Sequence, residues 1–313
     1  MKEQYNITEE RNPKTKDIDK VSTIEMMTLL NNEDKLVAEA VAVEIPQIAR
    51  AVDVISDILK KGGRLIYIGA GTSGRIGILD ASEVASSYGL EDGKVLAFIA
   101  GGKDALTKSM SGAQDDKAMG VEELKAINFS SNDVILGISS SGATPYVTGA
   151  LEYAKRLGGP TITLTSTRES ECSQIADIFI STVVGPEAIT GSTRLKSATA
   201  HKMVLNMIST GVMIKLGKVY ENLMIDVKPA NYKLIKRRNN VVSEACHVDS
   251  AKAEELLGQS DGGTRLAIIM GLTKLTVDQA RVLLNYHDND VSAALSDEAF
   301  QQKIKGNQNP GSE

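Results

Sequence analysis

Two short segments rich in glycine and hydroxyl side chains have the composition of an anion-binding site. The first, Gly69–Arg75 (GAGTSGR), and the second, Ser139–Pro145 (SSSGATP), each follow an apolar run and lead into a stretch with helical periodicity. Backbone N–H groups in such turns, and the helix N-terminus behind them, attract anions. We therefore predict that the two turns share one phosphate. The residues predicted to bind it are Gly71, Thr72, Ser73, Ser139, Ser140, Ser141 and Thr144.

The first turn also matches the G-x-G-x-x-G pattern of dinucleotide-binding proteins. That function needs an acidic residue about 20 positions later, at the end of the second strand. The run there ends Phe98–Gly102 without an acid, and Asp80 and Glu83 lie inside the preceding helical stretch. A Walker A loop is excluded because no Gly-Lys-Ser/Thr follows the glycines. The remaining alternative is that these residues only cap helices and form tight turns.

The elements that position these turns alternate between short apolar runs and helical patterns. The predicted strands are Arg64–Gly69, Val95–Ala100, Asp133–Ile138, Thr161–Thr165 and Ile178–Thr182. This alternation predicts a parallel sheet covered by helices on both faces, in which ligands bind beyond the carboxyl ends of the strands. The predicted helices around the sheet are Ile24–Leu30, behind a Ser22/Glu25 capping box, and Ile45–Leu59, Pro145–Leu157 and Thr193–Leu216.

Beyond Arg238 the pattern changes to short apolar helical segments without strands. These segments are Ser250–Leu257, Thr264–Leu272, Thr276–Leu284, which starts with a Thr276/Gln279 capping box, and Val291–Leu295. We predict four regions along the chain: an N-terminal arm with helices at 1–50, the α/β domain at 51–239, a small helical domain at 240–298 and a polar tail at 299–313.

Length, charge and composition exclude several classes of function. The chain has 313 residues, a net charge of -5 and a pI near 5.5, which argues against nucleic-acid binding because that needs clustered Lys and Arg. The basic run Lys233–Arg238 is interpreted as a solvated helix face. Residues 1–20 are polar, and no run is long enough to span a bilayer. We therefore predict a cytoplasmic protein that binds neither membranes nor nucleic acid.

Cysteine and histidine spacing indicates neither disulfides nor a metal site. Cys172 and Cys246 are far apart and lack a C-x-x-C pattern, which is consistent with a reducing compartment. His201, His247 and His287 have no metal-ligand spacing. We interpret His201 as a helix-surface or interface residue.

Several stretches of the chain together resemble the N-acetylmuramic acid 6-phosphate etherase family. They are Glu10–Met26 (ERNPKTKDIDKVSTIEM), Arg64–Glu83 (RLIYIGAGTSGRIGILDASE), Ile138–Val147 (ISSSGATPYV), Ile189–Lys202 (ITGSTRLKSATAHK) and Leu205–Met224 (LNMISTGVMIKLGKVYENLM). The family belongs to the sugar isomerase (SIS) superfamily and is similar to the glucokinase regulatory protein. The resemblance implies a doubly wound α/β fold, a parallel five-stranded sheet forming a SIS domain, followed by a small helical domain that is UBA-like.

The resemblance also implies a reaction and roles for individual residues. The family removes D-lactate from C3 of a 6-phosphorylated amino sugar and adds water, without cofactor or metal. Glu83 is implied as the acid at the ether oxygen, whereas Gln114 occupies the position of the family's second catalytic glutamate, for which the neighbouring Asp115 and Asp116 are alternatives. Further pocket candidates are Ser192, Arg194 and Lys196.

Two alternatives to the enzyme follow from Gln114 and from the fold. Because an amide cannot accept a proton, the chain is alternatively a phosphosugar-binding regulator or an inactive paralogue. A sugar-phosphate isomerase is a further alternative, since it shares the fold. In each case the expected partner is a small sugar phosphate, and the resemblance implies a homodimer.

Overall fold

The chain forms two compact units, described here by a computed structural model that covers residues 7–227 and 232–306, apart from the side chain of Lys233. The first unit contains the chain up to Val84 together with Glu91–Val212. The second contains Ala85–Leu90 and the chain from Met213 onward. The predicted boundary between residues 239 and 240 falls inside a helix, so we place the start of the second unit at Met213.

A parallel sheet of five strands forms the centre of the first unit. The strands are β1 (Leu65–Gly69), β2 (Val95–Ile99), β3 (Val134–Ile138), β4 (Thr161–Thr165) and β5 (Ile178–Ser181). Their order is β2-β1-β3-β4-β5, with every pair parallel. Because β1 lies between β2 and β3, the winding reverses there, and Gly69 pairs with Ile138 at the carboxyl ends. The predicted fold class is confirmed.

Helices cover both faces of this sheet. They are α1 (Thr23–Asp34), α2 (Val37–Val43), α3 (Ile45–Lys60), α4 (Gly71–Ser87), α5 (Lys117–Ala126), α6 (Pro145–Arg156), α7 (Glu171–Ile175) and α8 (Lys196–Lys215). The Ser22/Glu25 capping box at the start of α1 is present as predicted. The sequence did not predict α2, α5 and α7, because all three are short and α5 contains few apolar residues.

Alternate residues of β1 show how the two faces are filled. Ile66 and Ile68 pack in an apolar core with Val147 and Leu151 of α6. Tyr67 points the opposite way, as strand pleating requires, and its hydroxyl donates to the buried carboxylate of Asp80 on α4 at 3.0 Å. Burial raises the pKa of Asp80. Asp80 is therefore part of the packing between α4 and the sheet.

The second unit is a helical domain with a short hairpin. Its elements are β6 (Val219–Tyr220), β7 (Leu223–Met224), α9 (Tyr232–Cys246), α10 (Ser250–Gln259), α11 (Thr264–Thr273), α12 (Val277–Tyr286), α13 (Val291–Ser296) and α14 (Glu298–Gly306). Residues with no exposed surface, such as Val242, Ile268 and Leu283, form its core. The four predicted C-terminal helices and the Thr276/Gln279 capping box are confirmed.

Helix α14 occupies part of the region predicted as a polar tail at 299–313. The chain stays ordered there because Gln301 donates to the carbonyls of Ala294 at 3.0 Å and Leu295 at 2.9 Å. Phe300 and Ile304 also pack against the core of the second unit. The rest of the predicted tail, 307–313, lies outside the described residues.

Candidate functional site

Two adjoining cavities of about 200 and 230 Å3 open beyond the carboxyl ends of β1 and β3. They share Ala70, Gly71, Thr72 and Gln114, and we call them together the cleft. The first cavity is further lined by Arg75, Ala100, Ala105, Lys108, Ser109, Met110 and Ala113. The second is further lined by Thr8, Glu9, Ser73, Ile138, Ser139, Ser140, Ser141, Thr144, Gly191, Thr193 and Ala198. All seven residues predicted to bind phosphate thus border one cavity.

The turn after β1 brings backbone unusually close to the sheet. An ideal Cβ at Gly69 would lie 2.8 Å from the nitrogen of Gly74, and one at Gly74 would lie 2.6 Å from a side-chain carbon of Ile99. Side chains at these positions would push the turn outward. The two glycines therefore allow α4 to begin directly at the cleft, with Thr72 and Ser73 in its first turn. Neither hydroxyl makes a hydrogen bond among the described residues.

The turn after β3 uses some of its hydroxyls to hold its own shape. The Ser139 hydroxyl accepts a hydrogen bond from the nitrogen of Gly142 at 3.0 Å and lies 2.8 Å from the Thr144 hydroxyl. The Ser141 hydroxyl accepts from the nitrogen of Ala143 at 3.3 Å. Ser140 makes no side-chain hydrogen bond within the described chain. The hydroxyls of Ser139 and Ser141 thus hold the turn in shape, while the Ser140 hydroxyl remains available to a ligand.

The two positions implied for proton transfer lie apart within the chain. Gln114 borders both cavities of the cleft, whereas Glu83 lines neither. Glu83 is exposed and follows Gly71 by 12 residues on α4, which corresponds to about 18 Å along the helix axis. That rise is longer than a hexose, so Glu83 lies well away from the turn after β1 of its own chain.

Beside the cleft lies a buried polar cluster, which we call the clamp: Asn12, Glu33, Glu187, Lys196 and Ser197. The Lys196 ammonium donates to Oε2 of Glu33 at 2.6 Å, and the two side chains are 1% and 5% exposed. Asn12 donates to the same carboxylate at 2.8 Å. Burial alone would raise the pKa of Glu33, but these hydrogen bonds outweigh it and lower the pKa. Glu187 accepts from the nitrogens of Lys196 and Ser197 at 3.0 and 2.9 Å.

The three further pocket candidates, Ser192, Arg194 and Lys196, are not among the residues that line the cleft. Lys196 points into the clamp because its ammonium is the buried partner of Glu33. Arg194 is exposed and Ser192 is half-buried, and neither borders the cleft. From this segment the cleft instead receives Gly191, Thr193 and Ala198.

His201 is also placed differently from its predicted position at a surface or interface. It is fully buried, and its Nε2 lies 3.1 Å from the hydroxyl of Ser166. Burial lowers its pKa to about 4. The nitrogen of Ser166 donates in turn to the carbonyl of Ser140 at 3.0 Å. His201 is therefore linked to the turn after β3 through Ser166.

Sequence reasoning missed two groups of cleft residues. Thr8 and Glu9 lie one to two residues before the stretch that carries the family resemblance, and no composition signal marks them. Arg75 was quoted as the end of the first turn without a role. Its guanidinium donates to the carbonyls of Ala105, Leu106 and Lys108, at 2.8 to 3.1 Å, and so holds the wall of the first cavity in place.

The described residues contain no group of three or more His, Cys, Asp or Glu side chains arranged to hold a metal ion. Among the same residues, no helix combines the length and apolar character that crossing a membrane requires. Cys172 and Cys246 are buried free thiols.

Family models match residues within 47–210, and curated relatives match more than nine-tenths of the chain. A model described as the glucokinase regulatory protein N-terminal SIS domain matches residues 47–155, and one described as SIS domain matches 122–210. The N-acetylmuramic acid 6-phosphate etherase of Clostridium beijerinckii is 51% identical over 290 residues, 93% of this chain and 95% of that protein. The protein of the same name from Yersinia pestis (strain Pestoides F) is 50% identical over 289 residues, 92% of this chain and 98% of that one.

A solved structure shares the fold at lower identity. It is a putative phosphosugar isomerase involved in capsule formation from Bacteroides fragilis, 21% identical with a TM-score of 0.50. The match covers 64% of this chain and 95% of that one. This likeness supports the assignment of the fold.

Proposed function

The chain belongs to the N-acetylmuramic acid 6-phosphate etherase family, and on that premise we propose how its own residues carry out the family's reaction. It is a carbon–oxygen lyase that cleaves the D-lactyl ether of N-acetylmuramic acid 6-phosphate to give N-acetylglucosamine 6-phosphate and D-lactate. Relatives that are about half identical over more than nine-tenths of the chain bear this name. They favour the enzyme over a phosphosugar-binding regulator, an inactive paralogue or a sugar-phosphate isomerase.

In this proposal the substrate's phosphate binds between the turns after β1 and β3. The observation that carries it is the single cavity bordered by Thr72 and Ser73 from one turn and by Ser140 and Ser141 from the other. Hydroxyl donors and the N-terminus of α4 together suit a phosphate dianion, because hydrogen bonds to a charged acceptor are about twice as strong as neutral ones.

Glu83 acts as the acid that protonates the departing lactyl oxygen and then activates water. Support comes from the Arg64–Glu83 stretch, which matches the family's glycine-rich signature up to this residue. A carboxyl group suits both steps because it can give a proton and take one back. Its position on α4, about 18 Å from Gly71 along the axis, requires that it serve a different cleft from that of its own chain.

We therefore propose a homodimer in which Glu83 of one copy completes the cleft of the other. The first unit exposes large apolar side chains on α1, at the end of α2, at the start of α3 and on α4, which a second copy would cover. They are Ile24 at 75% exposure, Met27 at 48%, Val43 at 64%, Ile45 at 50% and Leu79 at 47%.

A complementation experiment tests the reaction and the shared site together. Wild-type protein should release D-lactate from N-acetylmuramic acid 6-phosphate, whereas Glu83→Gln and Ser140→Asp should each be inactive. Co-expressed in one cell, the two variants should recover about a quarter of the wild-type rate, because half of the dimers are mixed and each holds one intact cleft. No D-lactate from wild-type protein would refute the reaction. No recovery from mixed dimers would refute the shared site.

The cytoplasm is the compartment that we propose for the enzyme. Both cysteines are free thiols, as is usual where thiols are kept reduced. Its net charge of -5 gives no support for association with nucleic acid.

A further inference from the structure

The cleft contains one acidic side chain among its described lining residues, and that side chain is Glu9. Its carboxylate makes no hydrogen bond or ion pair within the described chain. Gln114, at the position where the family has a second glutamate, borders the same cavity. The elimination needs a group that accepts the C2 proton, and a primary amide cannot do so.

We propose that Glu9 is the base that removes the C2 proton, an inference that rests on the proposed etherase function. The Glu9 carboxylate takes the proton, and the C2–H electron pair becomes the C2–C3 double bond. The C3–O bond breaks, and its electron pair leaves on the lactyl oxygen, which receives a proton from Glu83 of the other copy. Water then adds its oxygen to C3 and returns a proton to Glu83, while Glu9, whose carboxyl proton exchanges with solvent between the two steps, gives a proton back to C2.

Backbone and side-chain hydrogen bonds hold the segment of Glu9 against the cleft. The nitrogen of Gly191 donates to the carbonyl of Thr8, the residue before Glu9, at 3.0 Å. Thr15 donates to the carbonyl of Ala188 at 2.7 Å. A carboxyl group needs such support, because a proton acceptor must stay within hydrogen-bond reach of the carbon that it deprotonates.

The clamp also holds the segment of Glu9, through Asn12. Asn12 donates to Glu33 at 2.8 Å and to the carbonyl of Pro186 at 3.2 Å. Lys196 neutralises Glu33 inside the protein. The segment that carries Glu9 is thereby joined to the loop before α8 by polar contacts that are costly to break, because a partner that stays buried would be left without a hydrogen bond.

Because Gly191 has no side chain, the Glu9 carboxylate can lie beside it. An ideal Cβ at Gly191 would lie 3.0 Å from Oε2 of Glu9. The neighbouring Glu10 is half-buried and does not line the cleft. Position 9 is therefore the one acidic position of this segment that meets the bound sugar.

The test uses Glu9→Gln, which keeps the shape of the side chain and removes its capacity to accept a proton. D-Lactate release should fall by about a hundred-fold or more, while calorimetry should find the affinity for N-acetylglucosamine 6-phosphate retained. In D2O the wild-type enzyme should place deuterium at C2 of the product, and Glu9→Gln should abolish this exchange. Glu39→Gln, an exposed glutamate on α2, is the matched control and should behave as wild type.

The possible outcomes separate this inference from the proposed function. If wild-type protein releases D-lactate and Glu9→Gln exchanges C2 deuterium at the same rate, Glu9 is not the base and the etherase assignment stands. If wild-type protein releases no D-lactate and exchanges no deuterium, both proposals fail. Loss of exchange in Glu9→Gln with retained binding of the product supports the assignment, and restoration of part of the exchange by Glu9→Asp supports it further.

Discussion

The cleft and the clamp both take residues from the N-terminal segment and from the chain around the start of α8, yet they differ in how their polar groups are paired. In the clamp, Lys196 and Glu33 are almost fully buried and are paired at 2.6 Å. In the cleft, the hydroxyls of Thr72, Ser73 and Ser140 and the carboxylate of Glu9 make no hydrogen bonds within the described chain.

This difference separates residues that stabilise the fold from residues that remain available to a ligand. A buried charge must be paired, because its desolvation is otherwise uncompensated. A polar group without a protein partner can give its full hydrogen-bonding capacity to a substrate. Residue type alone does not distinguish the two, since Glu33 and Glu9 belong to the same N-terminal region. The two kinds of residue are distinguished by the position of each side chain relative to the edge of the sheet.

The largest effect is expected from removing one half of the buried ion pair. Lys196→Met leaves the Glu33 carboxylate buried beside Asn12 without its cation, which should lower the free energy of unfolding by about 3–5 kcal/mol. Urea denaturation of the purified variant measures it. If the clamp only stabilises the segment next to the cleft, the fraction that remains folded should still bind N-acetylglucosamine 6-phosphate.

Lys14→Met is the matched control for that variant. Lys14 also faces Glu33, at 3.7 Å, but its side chain is 66% exposed, so its loss should cost less than about 1 kcal/mol. Adding Glu33→Gln to Lys196→Met should recover part of the lost stability, because no uncompensated charge remains. Equal destabilisation by the two lysine variants would contradict the distinction between buried and exposed partners.

His201 extends the comparison, because it is a buried titratable group beneath the cleft. Its pKa is lowered to about 4 by burial, so the unfolded chain binds a proton more readily than the folded one between about pH 6.5 and 4. Its contribution is therefore complete above pH 6.5 and is lost as the pH falls, by about 3 kcal/mol in all.

Replacing His201 with glutamine should remove this part of the acid sensitivity. The measurement is the difference in unfolding free energy between pH about 7 and about 4.5. A loss of stability that is equal at both pH values cancels in this difference. His247→Gln, at an exposed position, should leave the wild-type difference unchanged. An undiminished pH dependence in His201→Gln would show that the pKa of His201 is not lowered in the folded protein.

The fold was predictable because its signals are local. Each of the five strands is a short apolar run with a turn after it, and α3 has apolar residues at helical spacing with Pro46 in its first turn. Helix α5 was missed because it has few apolar residues at helical spacing, although Asp116 caps its start by accepting from the nitrogens of Ala118 and Met119. Its place against the sheet follows from contacts distant in sequence.

The candidate site could be predicted from the sequence only at the two turns whose backbone lines the cleft. The turns after β1 and β3 were found because glycine, serine and threonine are needed at the carboxyl ends of parallel strands. Lys196 and Glu9 were misjudged or missed, because spacing cannot tell which side chain of a loop turns inward. The direction of the Lys196 side chain depends on its partner Glu33, which is 163 residues away in the chain.

A smaller effect, confined to binding, is expected in the cleft. Thr72→Val keeps the size of the side chain and removes a hydroxyl that is proposed to donate to phosphate. A hydrogen bond to a charged group contributes about 1.5–3 kcal/mol, so the Kd for N-acetylglucosamine 6-phosphate should rise about 10- to 150-fold, with little change in unfolding free energy. Thr28→Val, an exposed threonine on α1, is the control. A stability loss without weaker binding would place Thr72 with the clamp residues instead.

The closest test of the boundary between the two regions comes from a pair of glycines. Gly185 and Gly191 both have positive φ, +72° and +74°, so alanine at either should cost about 1–2 kcal/mol of unfolding free energy. Only at Gly191 does the added Cβ meet a side chain, Oε2 of Glu9 at 3.0 Å, while nothing lies within 4 Å at Gly185. D-Lactate release should therefore fall in Gly191→Ala and remain near wild type in Gly185→Ala, despite similar melting temperatures. Equal release by both variants would mean that the position of the Glu9 carboxylate does not matter to the reaction.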